Sequence, residues 1–593
     1  MAASREEKYL HAGWLFLLAR IIYQALARDD TEDEDDWTAH GIDVLEQFPL
    51  VQRQWDTVAQ FRAQITYKAT LSLRDSSSSL EDVCSILLTL HLLESRPLID
   101  VLTIFLAQRA RSLQAILSRS TKSAPNGSSS LNGGAFPKSK KAITREVREG
   151  LEGVLDAIAS TVDVARGVFC DRSHEDPSLL SRVLLFIQSD VPVTDTALPP
   201  QLQMSTQHLL YTLPSASHFA LLPSNIRSYK PYVDLASAMS SLSSTQVTLR
   251  LSEWFSKAVT DLRRVAEGWF AELRTLKDVW AVRSWFNDWL RAKKLEDREG
   301  QELAEVIGDI SHGQALKILR TALSDLQDGF RDELQHALLQ LRDGANEAFV
   351  ESNPAKFLFQ PLAPPSLDVG MGSSLISAFR KYESTLQRQV TSRTPLLHKI
   401  VCSLENDAEA LQEDAEGKLT ENLRAAYVPL AEDCCKSVLA SISSNIVKLT
   451  SGSDADVRSL AFLSRLTEAL HASPFRSYLK CQAENFRGDM SELHEQSVNQ
   501  WRIFVVSAAL TNYQKTCQPL RSQGNSNAQP SWSLMQALLS LSSSVHSIEA
   551  SANPIRLRSR SIAEITLRHF TASLTNAVTP DRGAQKSDVI HKQ

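Results

Sequence analysis

Asp29-Asp30-Thr31-Glu32-Asp33 is the segment of this chain whose residue types and spacing come nearest to a reaction centre. An Asp-Asp-x-x-Asp array on one helical face holds Mg²⁺ against a diphosphate in helical isoprenoid synthases, because the hard ion takes several carboxylate oxygens together with water. Here the array falls inside DDTEDEDD, seven acids in eight residues. Mutual repulsion makes such a run a poor helix and a good solvated loop. No second metal motif follows downstream. Asp29, Asp30 and Asp33 therefore read as part of an acidic loop, with a Mg²⁺-dependent isoprenoid-type enzyme as the remote alternative.

Other reaction signatures fail on spacing. His174-Glu175 and His494-Glu495 lack the second histidine that a zinc-binding His-Glu-x-x-His helix needs. There is no Cys-x-x-Cys, and the adjacent pair Cys434-Cys435 cannot supply four tetrahedral ligands. A Gly-x-Ser-x-Gly elbow is missing, as is a phosphate loop, and Gly370-Met371-Gly372 has neither a third glycine nor a preceding strand. The 7 cysteines are scattered and odd in number, which suits reduced cytosolic thiols. The net charge of −6 offers no basic field for phosphates, so nucleic acid is not an expected partner. No enzymatic activity, catalytic residue, metal, cofactor or small-molecule substrate is expected.

The elements around these residues are helical. Gly 21 and Pro 22 are few for 593 residues, and Leu, Ala, Ser, Glu, Gln and Arg dominate. Residues 10–26 (LHAGWLFLLARIIYQAL) are the most apolar run. They carry Arg20 and fall short of the ~20 apolar residues of a spanning helix, so they read as a buried core helix rather than an anchor or signal. A helix is expected over about 40–74. Leu80, Val83, Cys84, Leu87, Leu88 and His91 share one helical face. Pro97 then opens a second helix, capped by Ser95 and carrying Leu98, Val101, Leu102, Phe105, Leu106, Leu113, Ile116 and Leu117, antiparallel to the first. From Thr248 a stripe of Phe255, Val259, Leu262, Ala266, Trp269, Leu273, Leu276 and Trp280 advances by threes and fours over about seven turns.

These patterns predict an all-α chain, an elongated rod of stacked helical bundles. The expected organisation is a helical segment over 1–119, a flexible linker over 120–141 and a middle bundle over 142–352. A Pro/Gly-rich break over 353–373, a C-terminal bundle over 374–575 and a disordered tail over 576–593 complete it. No repeat of fixed period supports a solenoid.

With no reagent in view, the candidate functional residues are anchors for a partner. Half of the 10 tryptophans (Trp254, Trp269, Trp280, Trp285 and Trp289) sit in one region. Trp269 and Trp280 lie in the stripe and read as core. Trp285 and Trp289 are the better candidates for a partner groove, though core packing remains the expectation for them too. Arg109, with Arg111 and Arg119, could face an acidic partner helix, and a solvated outer face is the plainer reading.

The N-terminal fifth carries a family resemblance. Tyr9-Leu10-His11-Ala12, Leu15 to Leu18, Phe48-Pro49-Leu50, Arg53-Gln54-Trp55, Phe61-Arg62 and Ile65 stand in order. Val83-Cys84-Ser85-Ile86 follows, then Leu92-Leu93-Glu94-Ser95 before Pro97, and Phe105-Leu106-Ala107-Gln108-Arg109 with Leu113. This series resembles the subunit 1 family of the conserved oligomeric Golgi complex, in a fungal-type form. Ser497-Val498-Asn499-Gln500-Trp501 agrees later in the chain and adds Trp501 to the partner-binding candidates. The family carries a helical coiled-coil region ahead of the Tyr9 segment, and this chain is expected to lack it.

The resemblance implies a structural subunit of a Golgi vesicle-tethering complex, peripheral on the cytosolic face of the Golgi membrane. It implies partners among subunits 2, 3 and 4 in one lobe and subunit 8 in the other, with a role in intra-Golgi retrograde transport and Golgi organisation. A subunit of another helical-rod tether, such as one of the exocyst type, or a cytoskeletal adaptor, is the alternative.

Overall fold

The computed structural model describes residues 8–27, 44–122, 140–171, 177–189, 198–213, 216–219, 222–234, 237, 242–293, 295–343, 351, 379–380, 382–383, 385–386, 393–451, 456–480, 485–517, 532–549 and 562–578. Among the described residues every regular element is a helix and none is a strand, so the all-α expectation holds. The Asp29/Asp30/Asp33 array, the 353–373 break and most of the 120–141 linker and of the 576–593 tail lie outside the described residues.

The chain divides into two compact units, residues 1–274 with 278–314 and residues 275–277 with 315–593. The first unit begins with α1 (Tyr9–Ala27), α2 (Val44–Gln47), α3 (Pro49–Ala59), α4 (Phe61–Ser72), α5 (Leu80–Glu94), α6 (Leu98–Lys122), α7 (Lys140–Phe169) and α8 (Leu179–Gln188). Three short helices, α9 (Thr206–Thr212), α10 (Ala216–Phe219) and α11 (Ser224–Arg227), precede the long α12 (Ser244–Ala271) and α13 (Leu276–Ala292). α14 (Asp297–Asp343) contains the division, at Gln314/Ala315.

Local sequence explains several of these ends. Ser79 accepts the amide of Asp82 and starts α5, Ser178 does the same for α8 through Ser181, and Ser205 for α9 through His208. Pro49 opens α3, where a missing N–H costs nothing. The helix expected over 40–74 is three helices, but Gln60 between α3 and α4 keeps right-handed helical angles, so that break is slight.

Two expectations need correction. Ser95 does not cap the helix after it. It ends α5 in the left-handed region (φ 52°, ψ 39°), and the carbonyl of Pro97 accepts the first amides of α6, from Asp100 and Val101. The Trp-rich stripe is also not one helix. It breaks between Ala271 and Leu276, yet Leu273 and Leu276 stay buried at 2% and 0% exposure. A stripe that continues through a break on the same buried side gives spacing no means of showing it.

Inside the first unit, α1 packs on α4 and α5, and α6, α7 and α12 pack on one another. Gly13 of α1 lies against Thr89 and Leu93 of α5, and Gly150 of α7 makes room for the Trp269 ring of α12. α1 is long and apolar enough to cross a membrane by length and composition alone. Leu10, Gly13, Trp14, Phe16, Leu17 and Leu18 are nevertheless buried within the unit, and the Trp14 indole N–H donates to Thr206 Oγ1 at 2.7 Å.

The second unit contains α15 (Pro395–Ala415), α16 (Glu421–Ser451), α17 (Val457–Ala472), α18 (Phe475–Tyr478), α19 (Phe486–Cys517), α20 (Trp532–Glu549) and α21 (Ile562–Val578). Here α19 is the central column, packed by α16, α17, α20 and α21. Their shared core holds Leu460, Trp501, Val505, Val506, Leu541, Val545, Ile548 and Phe570. Burying such a side chain is worth about 1.5–3 kcal/mol relative to leaving it in water, which is what binds these helices together.

Candidate interaction surfaces

The first unit carries an open groove of about 740 Å³ between α1 and α3–α4. Lys8, Tyr9, Ala12, Leu15, Phe16 and Ala19 line one side, and Val58, Phe61, Gln64, Ile65 and Lys68 the other. Aromatic packing holds α3 against α1 beside the groove: Trp55 of α3 stacks on Tyr23 at 4.6 Å and on Phe16 at 6.1 Å between ring centroids. The α3–α4 pair is thinly attached. α3 has no buried residue and α4 buries only Ala69, while Phe48, Leu50, Phe61 and Tyr67 are 44–66% exposed. Amphipathic helices whose apolar residues face water are characteristic of docking surfaces.

The second unit presents a comparable face on α20. Ala537, Leu541, Val545 and Ile548 point into the core. Trp532 (71%), Met535 (44%) and Leu539 (66%) lie exposed at i, i+3 and i+7. A helix with two apolar faces, only one of them covered among the described residues, has a face to spare for another helix.

The residues singled out from sequence lie elsewhere. Trp289 is buried (8% exposed) and donates its indole N–H to Asp156 of α7 at 2.9 Å, with Lys293 over its ring and paired to the same carboxylate. Trp285 is half-buried beneath the Arg148 guanidinium, 5.4 Å from its ring centroid. Together with Thr144, which donates to Asp278 at 3.0 Å, these contacts form a seam joining α7 to α13. Trp501 is wholly buried in the second unit's core, and its indole N–H has no hydrogen-bond partner.

Arg109 departs furthest from expectation. Arg111 is exposed, as a solvated face requires, but Arg109 is 2% exposed, because the apolar stripe of α6 carries it into the core. Its guanidinium lies over the Phe105 ring at 5.3 Å, and none of its nitrogens has a hydrogen-bond partner. Burial pushes its pKa down to about 10, with Asp75 opposing that shift electrostatically.

Sequence reasoning missed two polar clusters, because each joins segments far apart in the chain. Glu351, fully buried, accepts the amide of Leu396 at 2.7 Å and the hydroxyl of Thr394, capping α15. Arg465 of α17 donates to the Glu351 carbonyl at 2.8 Å. Burial raises the Glu351 pKa against the pull of Arg465. Nearby, Arg393 grips Glu405 with two hydrogen bonds of 3.0 and 3.1 Å, and Ser473 adds a third at 2.8 Å. Cys402 lies 3.3 Å from the His398 ring on the same helix. These groups are spent on each other and on helix ends. Among the described residues no cluster of His, Cys, Asp and Glu could hold a metal ion.

Comparison of the chain with protein-family models, with curated proteins and with solved structures finds no match.

Proposed function

We propose that this chain is a structural, non-enzymatic subunit of a multisubunit Golgi vesicle-tethering complex, of the subunit 1 type. In this reading it links the lobe of subunits 2, 3 and 4 to the lobe reached through subunit 8. Its place is peripheral, on the cytosolic face of the Golgi membrane, and it supports retrograde vesicle transport. The observation that carries the reading is the pair of exposed apolar helix faces, α3–α4 in one unit and Trp532–Met535–Leu539 in the other. Association needs such faces and catalysis does not. The series from Tyr9 to Leu113 directs the choice toward this family.

Affinity purification of the tagged full chain, with every co-purifying protein identified, tests the proposal. Recovery of the seven other subunits is the expected result. Recovery of an exocyst or a cytoskeletal motor assembly, or of the chain alone, overturns it.

A further inference from the structure

We infer that the groove between α1 and α3–α4 receives one amphipathic helix of a partner protein, with Asp or Glu flanking its apolar stripe. The inference deepens the proposal above and rests on its reading that the chain assembles with helical partners. Three features of the groove lead to it.

The first is shape. The α1 side runs from Lys8 to Ala19, about 17 Å at 1.5 Å per residue, so it accommodates about three turns of helix. A concave trough with Leu15, Phe16 and Ile65 along its floor suits side chains at i, i+4 and i+7 of a single helix. A lipid surface, by contrast, is met by convex apolar faces.

The second feature is charge. Lys8 and Lys68 stand at the rim, and no carboxylate among the described residues lines the groove. Arg62, one residue from Phe61, is exposed on the same helix as Lys68. Neither Arg62 nor Lys68 has an ion-pair partner among the described residues. Cationic groups bordering an apolar trough favour a helix with carboxylates beside its stripe and disfavour one with lysines there.

The third is exposure. Phe61, at the groove's edge, is 44% exposed, although its neighbours Val58 and Ile65 pack on the Phe16–Trp55 cluster. An edge aromatic left in water beside an anchored floor is positioned to close over an incoming helix.

The test uses the intact chain and two fluorescent peptides of about 18 residues, or five turns. Both carry the same leucine stripe, flanked by glutamate in one and by lysine in the other. Fluorescence anisotropy is expected to show the glutamate peptide binding about tenfold more tightly, with the preference shrinking at high salt. The exposed double variant Arg62→Glu/Lys68→Glu should reverse the preference, whereas Arg291→Glu, on an exposed site of α13, should leave it unchanged.

Equal binding of the two peptides, binding by neither, or a preference that survives the double variant overturns the inference. So does displacement of the glutamate peptide by phosphatidylserine vesicles, which would make the surface a lipid contact. Self-association abolished by the double variant would assign the groove to a second copy and overturn it as well. Purification through the tagged chain separates the two levels. If the subunits co-purify but the peptides bind equally, only the groove is wrong. If no helical partner co-purifies, the functional reading fails with it.

Discussion

Replacing Arg109 with methionine should make the first unit more stable, although it removes a charged residue from the part of the sequence that most specifically marks the family resemblance. Arg109 is 2% exposed, and its nitrogens have no hydrogen-bond partner. Its pKa falls from the usual guanidinium range to about 10 because burial disfavours the charged form. At 1.36 kcal/mol per unit, that shift corresponds to a penalty of about 3 kcal/mol for holding the cation in the core. The sign follows from linkage. A depressed folded pKa favours the neutral form, so the native state recovers the penalty only as pH rises above about 10, and at pH 7 the whole of it is present.

Methionine fills much of the same volume without a charge. The exchange gives up the cation–π contact with Phe105, worth about 0.5–2 kcal/mol. A net gain of about 1–2.5 kcal/mol remains, or a rise of roughly 2–10 °C in the first unit's calorimetric transition. Arg109→Ala should forgo that gain, because the cavity it leaves costs about 2–4 kcal/mol. A methionine variant that melts several degrees below the parent would refute the reasoning, since it would show that the guanidinium is well satisfied where it lies. If the arginine is retained for assembly, the stabilised variant should also recover fewer partners on purification.

Three further outcomes follow from the packing. Gly329→Ala, in α14, adds a Cβ that meets nothing within 4 Å and should raise the second unit's unfolding free energy by about 0.5–1 kcal/mol in urea titration, whereas a Cβ on Gly167 would come within 2.3 Å of Leu80 and forfeit that gain. Trp14→Phe removes the hydrogen bond to Thr206 and part of a side chain that is 1% exposed, so it should cost the first unit about 2–3 kcal/mol, read as a lower melting temperature. His91 is buried and its Nδ1–H donates to the Arg96 carbonyl at 2.7 Å; burial depresses its pKa below 6.5, so its contribution is whole above pH 6.5 and is lost as pH falls through the depressed value, and His91→Gln should flatten the first unit's melting profile between pH 7 and pH 5.

Much of the fold was legible because helices of this kind write their period into the sequence. The stripe of α5, with Val83, Cys84, Leu87 and Leu88, is buried as its spacing requires, and α1 falls within one residue of the apolar run over 10–26. What escaped was whatever depends on a partner distant in the chain. Arg109 looked solvated because arginine usually is, and only the packing of α6 shows that its position is internal. Glu351 and Arg465 are 114 residues apart, so no local pattern could join them. Trp289 was ambiguous for the same reason, since Asp156, which takes its indole N–H, lies 133 residues earlier. The uncovered faces were hidden differently. Trp532, Met535 and Leu539 are spaced like core residues, and spacing alone cannot say which of two apolar faces another helix covers.

In the proposed role this chain joins two groups of partners. Cells depleted of the chain, in which the subunit 2–3–4 lobe is tagged and purified, test it directly. The expected result is that the lobe reached through subunit 8 no longer co-purifies and that re-expression of the chain restores it. Two lobes that remain together without the chain would contradict the account.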